Sequence, residues 1–280
     1  MMVAVGTFAL MDSCLKLLSP HYSTLEIASL RGLATLPIVL VWISLTSGFK
    51  TLRHVRMPLH LFRGVIGIVT LTLFTYGVRK LPLADAYSIF FVAPLFITVF
   101  AAAILHERVD RRRWIAIAVG FAGVLIVLRP SGASAITLPG IAIIVTAVCY
   151  ALSAITVRVL TRTDTTQSMV FWLMVFIAVG SGILALPSWQ PVRQEHWWIV
   201  AAMGLTGSVG QWAITEAFRQ GEASFIAPFE YTALVWGVLL DRLIWNTTPA
   251  AITLAGASVI VASGIYLVRH ERTHATAEHP

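Results

Sequence analysis

Two long segments of the chain resemble each other and lie half a chain apart. The segment FRGVIGIVTLTLFTYGVRK (62–80) aligns with MGLTGSVGQWAITEAFRQ (203–220), and the offset between Arg79 and Arg219 is half of the 280 residues. Each half carries five long apolar segments. Because five is an odd number, a second copy must enter a bilayer in the opposite orientation to the first. The repeat therefore predicts an inverted pair of five-helix units, an arrangement typical of secondary transporters.

The composition excludes a water-soluble fold. Hydrophobic residues make up 58% of the chain and charged residues 12%, against about 25% charged in soluble domains. A helix needs about 20 apolar residues to cross a bilayer, and these runs are too long and too continuous for barrel strands. We predict an all-α membrane protein with ten transmembrane helices, over 2–18, 24–46, 58–78, 83–105, 111–128, 138–160, 165–186, 196–217, 222–245 and 249–269.

The spans divide the chain into two repeats and a tail. We expect the first five-helix repeat over 1–135, the second and inverted one over 136–270, and a cytoplasmic tail over 271–280. Most of the 20 basic residues, including Arg63 and the cluster RVDRRR (108–113), fall in or near connections on one side. The positive-inside rule places both termini in the cytoplasm and the protein in the inner membrane.

A few charged residues lie inside the predicted spans, where charge is costly and usually serves a pathway or a partner. Asp12 and Lys16 are one helical turn apart, so they form a structural ion pair, a gate or a partner for a charged group of the substrate. Arg31 needs a partner on a neighbouring helix. Glu230 is the deepest acid, and it either binds a proton or a substrate ammonium or is neutralised by a buried partner.

Aromatic and amide side chains inside the spans predict a cavity with few fixed charges. A tyrosine hydroxyl in lipid is costly without a partner, so such residues favour an interior wall. Pro94 and Pro228 predict kinks in the fourth and ninth spans, and kinks in corresponding helices point to a binding site. The predicted cavity residues are Tyr76, Tyr87, Phe91, Tyr150, Gln211, Phe229, Glu230 and Tyr231, with Asp12, Lys16 and Arg31 as gating or charge-pair residues.

The sequence contains no motif that indicates an enzyme, a nucleotide site or a metal site. HExxH, GxSxG and P-loop patterns are missing, and Cys14 and Cys149 lie singly in apolar runs. We therefore expect no enzymatic activity, cofactor, metal or nucleic-acid partner. The +7 net charge is explained by the basic connections.

The residues resemble the drug/metabolite transporter superfamily in its EamA branch. The resemblance is carried by ADAYSIFFVAPLFITVFAAAILHERVDRRRWIAIAVGFAGVLIVLR (84–129), FIAPFEYTALVWGVLL (225–240) and LAGASVIVASGIYLVR (254–269), and it extends over nearly the whole chain. It implies a central cavity lined by spans 1, 3, 4, 6, 8 and 9, as in YddG-type exporters of amino acids and related metabolites. One departure is Asn246–Thr247, where the family often has a glycine–glutamate pair.

These observations predict a monomeric inner-membrane carrier that exports small metabolites, in the first place amino acids, by alternating access. Its partners are then a small-molecule substrate and the lipid bilayer. A carrier for a nucleoside, a vitamin or a cationic drug is the alternative within the same class. A membrane-embedded enzyme or a channel is the alternative from a different class.

Overall fold

The computed structural model of the protein describes residues 1–53, 55–81, 83–107, 109–111, 114–115, 117–119, 121–122 and 137–246, with single residues at 255, 258, 259 and 262. These residues form helices and contain no strand. The α-helices are α1 (Met2–Leu18), α2 (Thr24–Leu45), α3 (Met57–Lys80), α4 (Leu83–Phe90), α5 (Ala93–Ile104), α6 (Leu138–Leu160), α7 (Thr166–Ala185), α8 (Trp197–Gln220), α9 (Ala223–Ile226) and α10 (Ala233–Trp245).

The helices agree closely with the predicted spans wherever the chain is described. The first and sixth spans coincide with α1 and α6, and the second, third, seventh and eighth differ from their helices by three residues or fewer at each end. Most of the fifth span (111–128), nearly all of the tenth (249–269) and the tail (271–280) lie outside the described residues. The regular structure of the described residues is therefore all helical, while ten spans remain a prediction.

The fourth and ninth spans are each broken near a proline, as the sequence predicts. Pro94 lies in the first turn of α5, just after the break that separates α5 from α4. Pro228 lies in the first turn of a 3₁₀ segment, Ala227–Thr232, which joins α9 to α10. Proline lacks an N–H group, and its ring clashes with the carbonyl four residues earlier, so the α-helical hydrogen bonding is interrupted there.

Hydroxyl side chains fix where several helices begin. Ser23 accepts a hydrogen bond from the backbone N–H of Glu26 at the start of α2. Thr137 and Thr165 accept equivalent bonds from Gly140 and Ser168 at the starts of α6 and α7. Each bond satisfies one of the amide groups that lack a partner in the first turn of a helix.

The largest helix interfaces join the two halves of the chain. Helix α1 packs against α8, α2 against α7, and α3 against α6. Glycines permit the closest contacts: a Cβ atom at Gly32 of α2 would lie 2.7 Å from the backbone nitrogen of Ala178 in α7, and one at Gly204 would lie 2.7 Å from Ala34. The small residues of α8 therefore serve helix packing.

The outer surface of the helices is apolar. Helix α7 alone exposes Val179, Ile183 and Leu184, each by more than half, and such a continuous apolar face is typical of a surface that contacts lipid. Four segments within the described residues are long and apolar enough to cross a bilayer: Thr24–Leu45, Met57–Lys80, Leu138–Leu160 and Thr166–Ser188.

Candidate functional site: a polar cavity between the two halves

A cavity of about 180 Å³ lies between the two halves of the chain. It is bordered by α1, α2, α3, α4, α6, α7 and α8, together with Glu230 of the 3₁₀ segment and Ala233 of α10. Each of the six spans that the family resemblance implies, spans 1, 3, 4, 6, 8 and 9, contributes residues to the lining of this cavity. Spans 2 and 7 line the cavity as well, through Arg31, Leu173 and Ile177.

One polar group of the cavity is built around Asp12. The Tyr87 hydroxyl of α4 donates a 2.9 Å hydrogen bond to Asp12 Oδ2, and the opposite charges of Asp12 and Arg31 attract each other without forming a direct ion pair. Arg31 Nη2 approaches Gln211 Oε1 at 3.5 Å, and its guanidinium lies 5.7 Å from the ring centre of Phe8. This group joins α1, α2, α4 and α8 and contains one charge of each sign.

A second polar group is built around Glu230. The Tyr150 hydroxyl of α6 donates a 2.8 Å hydrogen bond to Glu230 Oε1. The other carboxylate oxygen is buried and has no hydrogen-bond partner among the described residues. Glu230 is 4% exposed, so its carboxylate is removed from water with only one neutral hydroxyl to compensate it.

A third polar group contains Arg63, which the sequence analysis counted among the basic residues of the connections. The structure corrects this: Arg63 lies almost two turns into α3, inside the predicted span 58–78, and points into the bundle. The side chain is 2% exposed. Its Nη1 donates to the backbone carbonyl of Met169 at 3.0 Å, and its Nε donates to Ser153 Oγ at 3.3 Å. The cavity is therefore more highly charged than predicted.

Aromatic rings form one wall of the cavity. Phe74 stacks on Tyr87 with ring centres 6.2 Å apart, and Phe90 packs 5.3 Å from Tyr150. Phe90 also contacts Phe74 edge to face at 6.0 Å. The rings thus connect the two tyrosines that hold the acidic residues, and they limit the rotation of both side chains.

The cavity brings together seven of the predicted residues and leaves four elsewhere. Asp12, Arg31, Tyr87, Phe91, Tyr150, Gln211 and Glu230 line it, whereas Tyr76, Phe229, Tyr231 and Lys16 are not among its described lining residues. A functional role for any of these side chains is still a prediction.

Helix geometry explains the four residues that lie elsewhere. Tyr76 follows Phe74 by two positions, which turns it about 200° around α3 and away from the cavity. In a 3₁₀ segment successive side chains point about 120° apart, so Glu230 faces the cavity while its neighbours do not. Phe229 packs 5.6 Å from Phe225, and Tyr231 packs 5.4 Å from Phe91. Lys16 is half-buried one turn beyond Asp12.

Polar contacts near the ends of the bundle join further pairs of helices and connections. His60 Nε2 lies 2.6 Å from Asp164 Oδ2 in a fully buried pair that joins α3 to the α6–α7 connection. At the end of α5, Glu107 Oε1 accepts from the backbone N–H of Ala223 at 3.2 Å and lies 3.8 Å from Arg158 Nε. The described residues contain no cluster of three or more histidine, cysteine or acidic side chains suited to a metal ion.

Comparison with known families agrees with this architecture. The EamA-like transporter family matches residues 1–129 and 138–269, which include both halves of the chain. The chain belongs to this family. Its members are transporters rather than enzymes, so the predicted family and the predicted lack of enzymatic activity are confirmed.

Relatives within the family are named as transporters of different small molecules. The pseudopaline exporter CntI of Pseudomonas aeruginosa is 28% identical over 96% of this chain and 95% of its own. The riboflavin transporter of Vibrio cholerae is 26% identical over 97% and 92%. The S-adenosylmethionine uptake transporter of Rickettsia prowazekii is 24% identical over 99% and 94%. The family membership thus identifies a membrane transporter without defining its solute.

A solved structure shares the fold. It is a crystal structure whose chain superimposes with a TM-score of 0.74 at 19% identity, covering 94% of this chain and 93% of that one. At this level of identity the similarity extends to the fold alone.

Proposed function

We propose that the protein is a secondary transporter that exports small metabolites, with amino acids as the leading substrate class, across the inner membrane. The observation that carries the proposal is the cavity between the two halves. It combines aromatic walls with two carboxylates and two guanidinium groups. An amino acid presents one group of each sign and an apolar side chain, so its chemistry matches all three features.

We further propose that residues 1–135 and 136–270 are inverted repeats, each with five spans. The helix pairings support this division, because exchanging the two halves converts the pair α1–α8 into α6–α3 and leaves α2–α7 unchanged. The two acid–tyrosine hydrogen bonds also join corresponding spans of the two halves, with the acid and the tyrosine exchanged. Asp12 of the first span binds Tyr87 of the fourth, and Tyr150 of the sixth span binds Glu230 of the ninth.

Transport then follows from a rocking movement of one repeat against the other. The cavity opens alternately to the two sides of the membrane while the polar groups stay near its centre. Both termini lie in the cytoplasm in this arrangement, and residues 271–280 form a short cytoplasmic tail. Each chain contains a complete cavity, so we propose that a monomer is sufficient for transport.

A vitamin is the second candidate solute. The relative from Vibrio cholerae is named a riboflavin transporter, and the ring wall of Phe74, Phe90 and Tyr87 is suited to stacking on a flat aromatic solute. Riboflavin differs from an amino acid in having no ammonium or carboxylate group. The charged groups of the cavity therefore favour the amino acid.

Counterflow in proteoliposomes tests the function. Purified protein is reconstituted into vesicles loaded with one unlabelled amino acid, and uptake of the same labelled amino acid is followed over time, with riboflavin measured in parallel. A carrier gives saturable uptake that depends on the internal solute, whereas a channel gives uptake that does not saturate. If labelled amino acids neither enter nor exchange while riboflavin does, the amino-acid proposal is wrong and the vitamin takes its place.

A further inference from the structure

The four charged side chains of the cavity are compensated to different degrees. Asp12 and Arg31 carry opposite charges that attract each other across the cavity, although they do not form a direct ion pair. No carboxylate among the described residues forms an ion pair with Arg63, and no basic group among them does so with Glu230. Two opposite charges in the same cavity thus have only neutral contacts.

Arg63 donates only to neutral oxygen atoms of the described chain. These are the Ser153 hydroxyl and the Met169 carbonyl. His60, about one turn earlier on α3, is hydrogen-bonded to Asp164 Oδ2, and Asp164 forms no ion pair with Arg63. A buried guanidinium without a counter-charge is costly, and an anionic group in the adjoining cavity would offset the cost. The fork of N–H donors suits a carboxylate in particular.

Glu230 lacks a positive partner and one hydrogen-bond donor among the described residues. One of its carboxylate oxygens accepts from Tyr150, and the other is buried without a hydrogen-bond donor among the described residues. An ammonium group carries three N–H donors and a positive charge, so it would supply both the missing hydrogen bond and the missing counter-charge of Glu230.

Helix α6 sets the spacing of the two charges. Tyr150, which contacts Glu230, and Ser153, which contacts Arg63, are three residues apart on α6. Three residues correspond to slightly less than one turn and about 4.5 Å of helix rise. Both charges are therefore contacted from the same stretch of one helix, and both line the same cavity.

We propose that Arg63 and Glu230 form a two-point recognition site for a zwitterionic solute, with the carboxylate of the solute on Arg63 and its ammonium on Glu230. The inference rests on the proposed function in that the cavity binds the transported solute. It adds the charge class of that solute and its orientation. Phe74 and Phe90 then pack against the apolar part of the solute, and a molecule with only one of the two charges leaves one buried group uncompensated.

Binding of three matched compounds to the purified full-length protein in detergent tests the site. Phenylalanine carries both charges, phenylalaninamide only the ammonium, and 3-phenylpropionate only the carboxylate, so thermal unfolding is recorded against the concentration of each. We expect phenylalanine to stabilise the wild type at the lowest concentration. Arg63→Gln should weaken phenylalanine about tenfold, the loss expected for one charge-assisted hydrogen bond, and change phenylalaninamide less than about threefold. Glu230→Gln should weaken phenylalanine similarly and spare 3-phenylpropionate.

A matched control and a second variant keep the test decisive. Arg79→Gln removes an exposed arginine from the other end of α3 and should leave all three compounds unchanged. Where Arg63→Gln gives no folded protein, Arg63→Lys keeps the charge but loses the fork, and it should still weaken phenylalanine more than phenylalaninamide. If Arg63→Gln or Arg63→Lys weakens the binding of phenylalanine and of phenylalaninamide equally, Arg63 is purely structural and the proposal is overturned.

The binding test separates this inference from the proposed function. If phenylalanine stabilises the wild type through Arg63 but no amino acid undergoes counterflow in vesicles, the transport proposal fails and the site stands. If counterflow occurs and Arg63→Gln has no effect on the preference for phenylalanine over its amide, the recognition site is wrong. Equal stabilisation of the wild type by all three compounds would also overturn it.

Discussion

Each acidic residue of the cavity receives a hydrogen bond from one tyrosine on another helix. Tyr87 supports Asp12, and Tyr150 supports Glu230. The hydroxyl keeps the carboxylate in position and compensates part of the cost of its burial. The aromatic rings that connect the two tyrosines position the hydroxyls in turn. These tyrosines thus stabilise the fold as well as lining the cavity.

Removing the Tyr150 hydroxyl should therefore lower the stability of the folded protein. In Tyr150→Phe, Glu230 loses its hydrogen-bond donor while its carboxylate stays buried, which costs about 1–3 kcal/mol. We expect a lower midpoint of thermal unfolding in detergent than for the wild type. Tyr76→Phe is the matched control, because the Tyr76 side chain faces away from the cavity, and it should be neutral. Equal midpoints for the two variants would argue against this role of Tyr150.

At the residue scale the sequence identified three of the four charged side chains of the cavity but missed Arg63. Tyr87, Tyr150 and Glu230 were predicted because polar atoms inside an apolar span need partners, and that requirement is visible in the sequence. Arg63 was missed because it lies in the first two turns of the predicted span 58–78, close to Arg53 and Arg56, and was counted with the basic residues of that side. The helical spacing of Arg63, Gly67, Thr70 and Phe74, all of which line the cavity, is the signal that assigns Arg63 to the interior.

At the scale of helices, the broken spans and the glycine contacts determine the shape of the cavity. The interruption before Pro228 produces the 3₁₀ segment that directs Glu230 inward. The proline itself was evident in the sequence, but the 3₁₀ geometry was not. Phe229 and Tyr231 were predicted to line the cavity together with Glu230, but successive side chains of this segment point about 120° apart, and of the three only Glu230 lines it.

Close packing of α2 on α7 should make Gly32 sensitive to the addition of a single methyl group. Alanine is favoured over glycine inside a helix by about 1 kcal/mol, but its Cβ would lie 2.7–2.8 Å from the backbone and Cβ of Ala178. Backbone atoms cannot move aside, so the two helices must separate at a cost of about 1–3 kcal/mol. We expect Gly32→Ala to lower the midpoint of thermal unfolding.

Gly180→Ala is the control for this prediction. It also adds a methyl group to an interhelical contact, but the nearest atom is the flexible end of the Ile68 side chain, at 2.6 Å. A change of rotamer relieves that contact, and the gain in helix propensity remains. A Gly32→Ala protein as stable as the wild type would show that α2 and α7 are not packed as closely as the backbone contact indicates.

At the scale of the molecule, the cavity lies between the two halves of the chain and is lined by residues of both. No half contains a complete site: Asp12, Arg31 and Arg63 come from the first, whereas Tyr150, Gln211 and Glu230 come from the second. The repeat was evident in the sequence because corresponding segments resemble each other. The assembly of one site from both halves is a consequence of three-dimensional pairing, which the spacing of the segments does not encode.

The inverted arrangement predicts on which side of the membrane two corresponding connections lie. Ser47, between α2 and α3, and Ser188, between α7 and α8, are both exposed and lie 141 residues apart. Five predicted spans separate them, and an odd number of crossings places them on opposite sides. Thr163, in the exposed part of the α6–α7 connection, is separated from Ser47 by four spans and should lie on the same side as Ser47.

Labelling of single cysteines in vesicles of known orientation measures this directly. Cys14 and Cys149 are first replaced by serine, and Ser47, Thr163 or Ser188 is then changed to cysteine in separate variants. A membrane-impermeant maleimide should react with Ser47→Cys and Thr163→Cys only in inside-out vesicles, and with Ser188→Cys only in right-side-out vesicles, because the positive-inside rule places the connections at 47 and 163 in the cytoplasm. The cysteine-free protein should stay unlabelled in both. Labelling of positions 47 and 188 from the same side, with 163 on the other, would mean that segment 111–128 does not cross the membrane, and the inverted repeat would then be wrong.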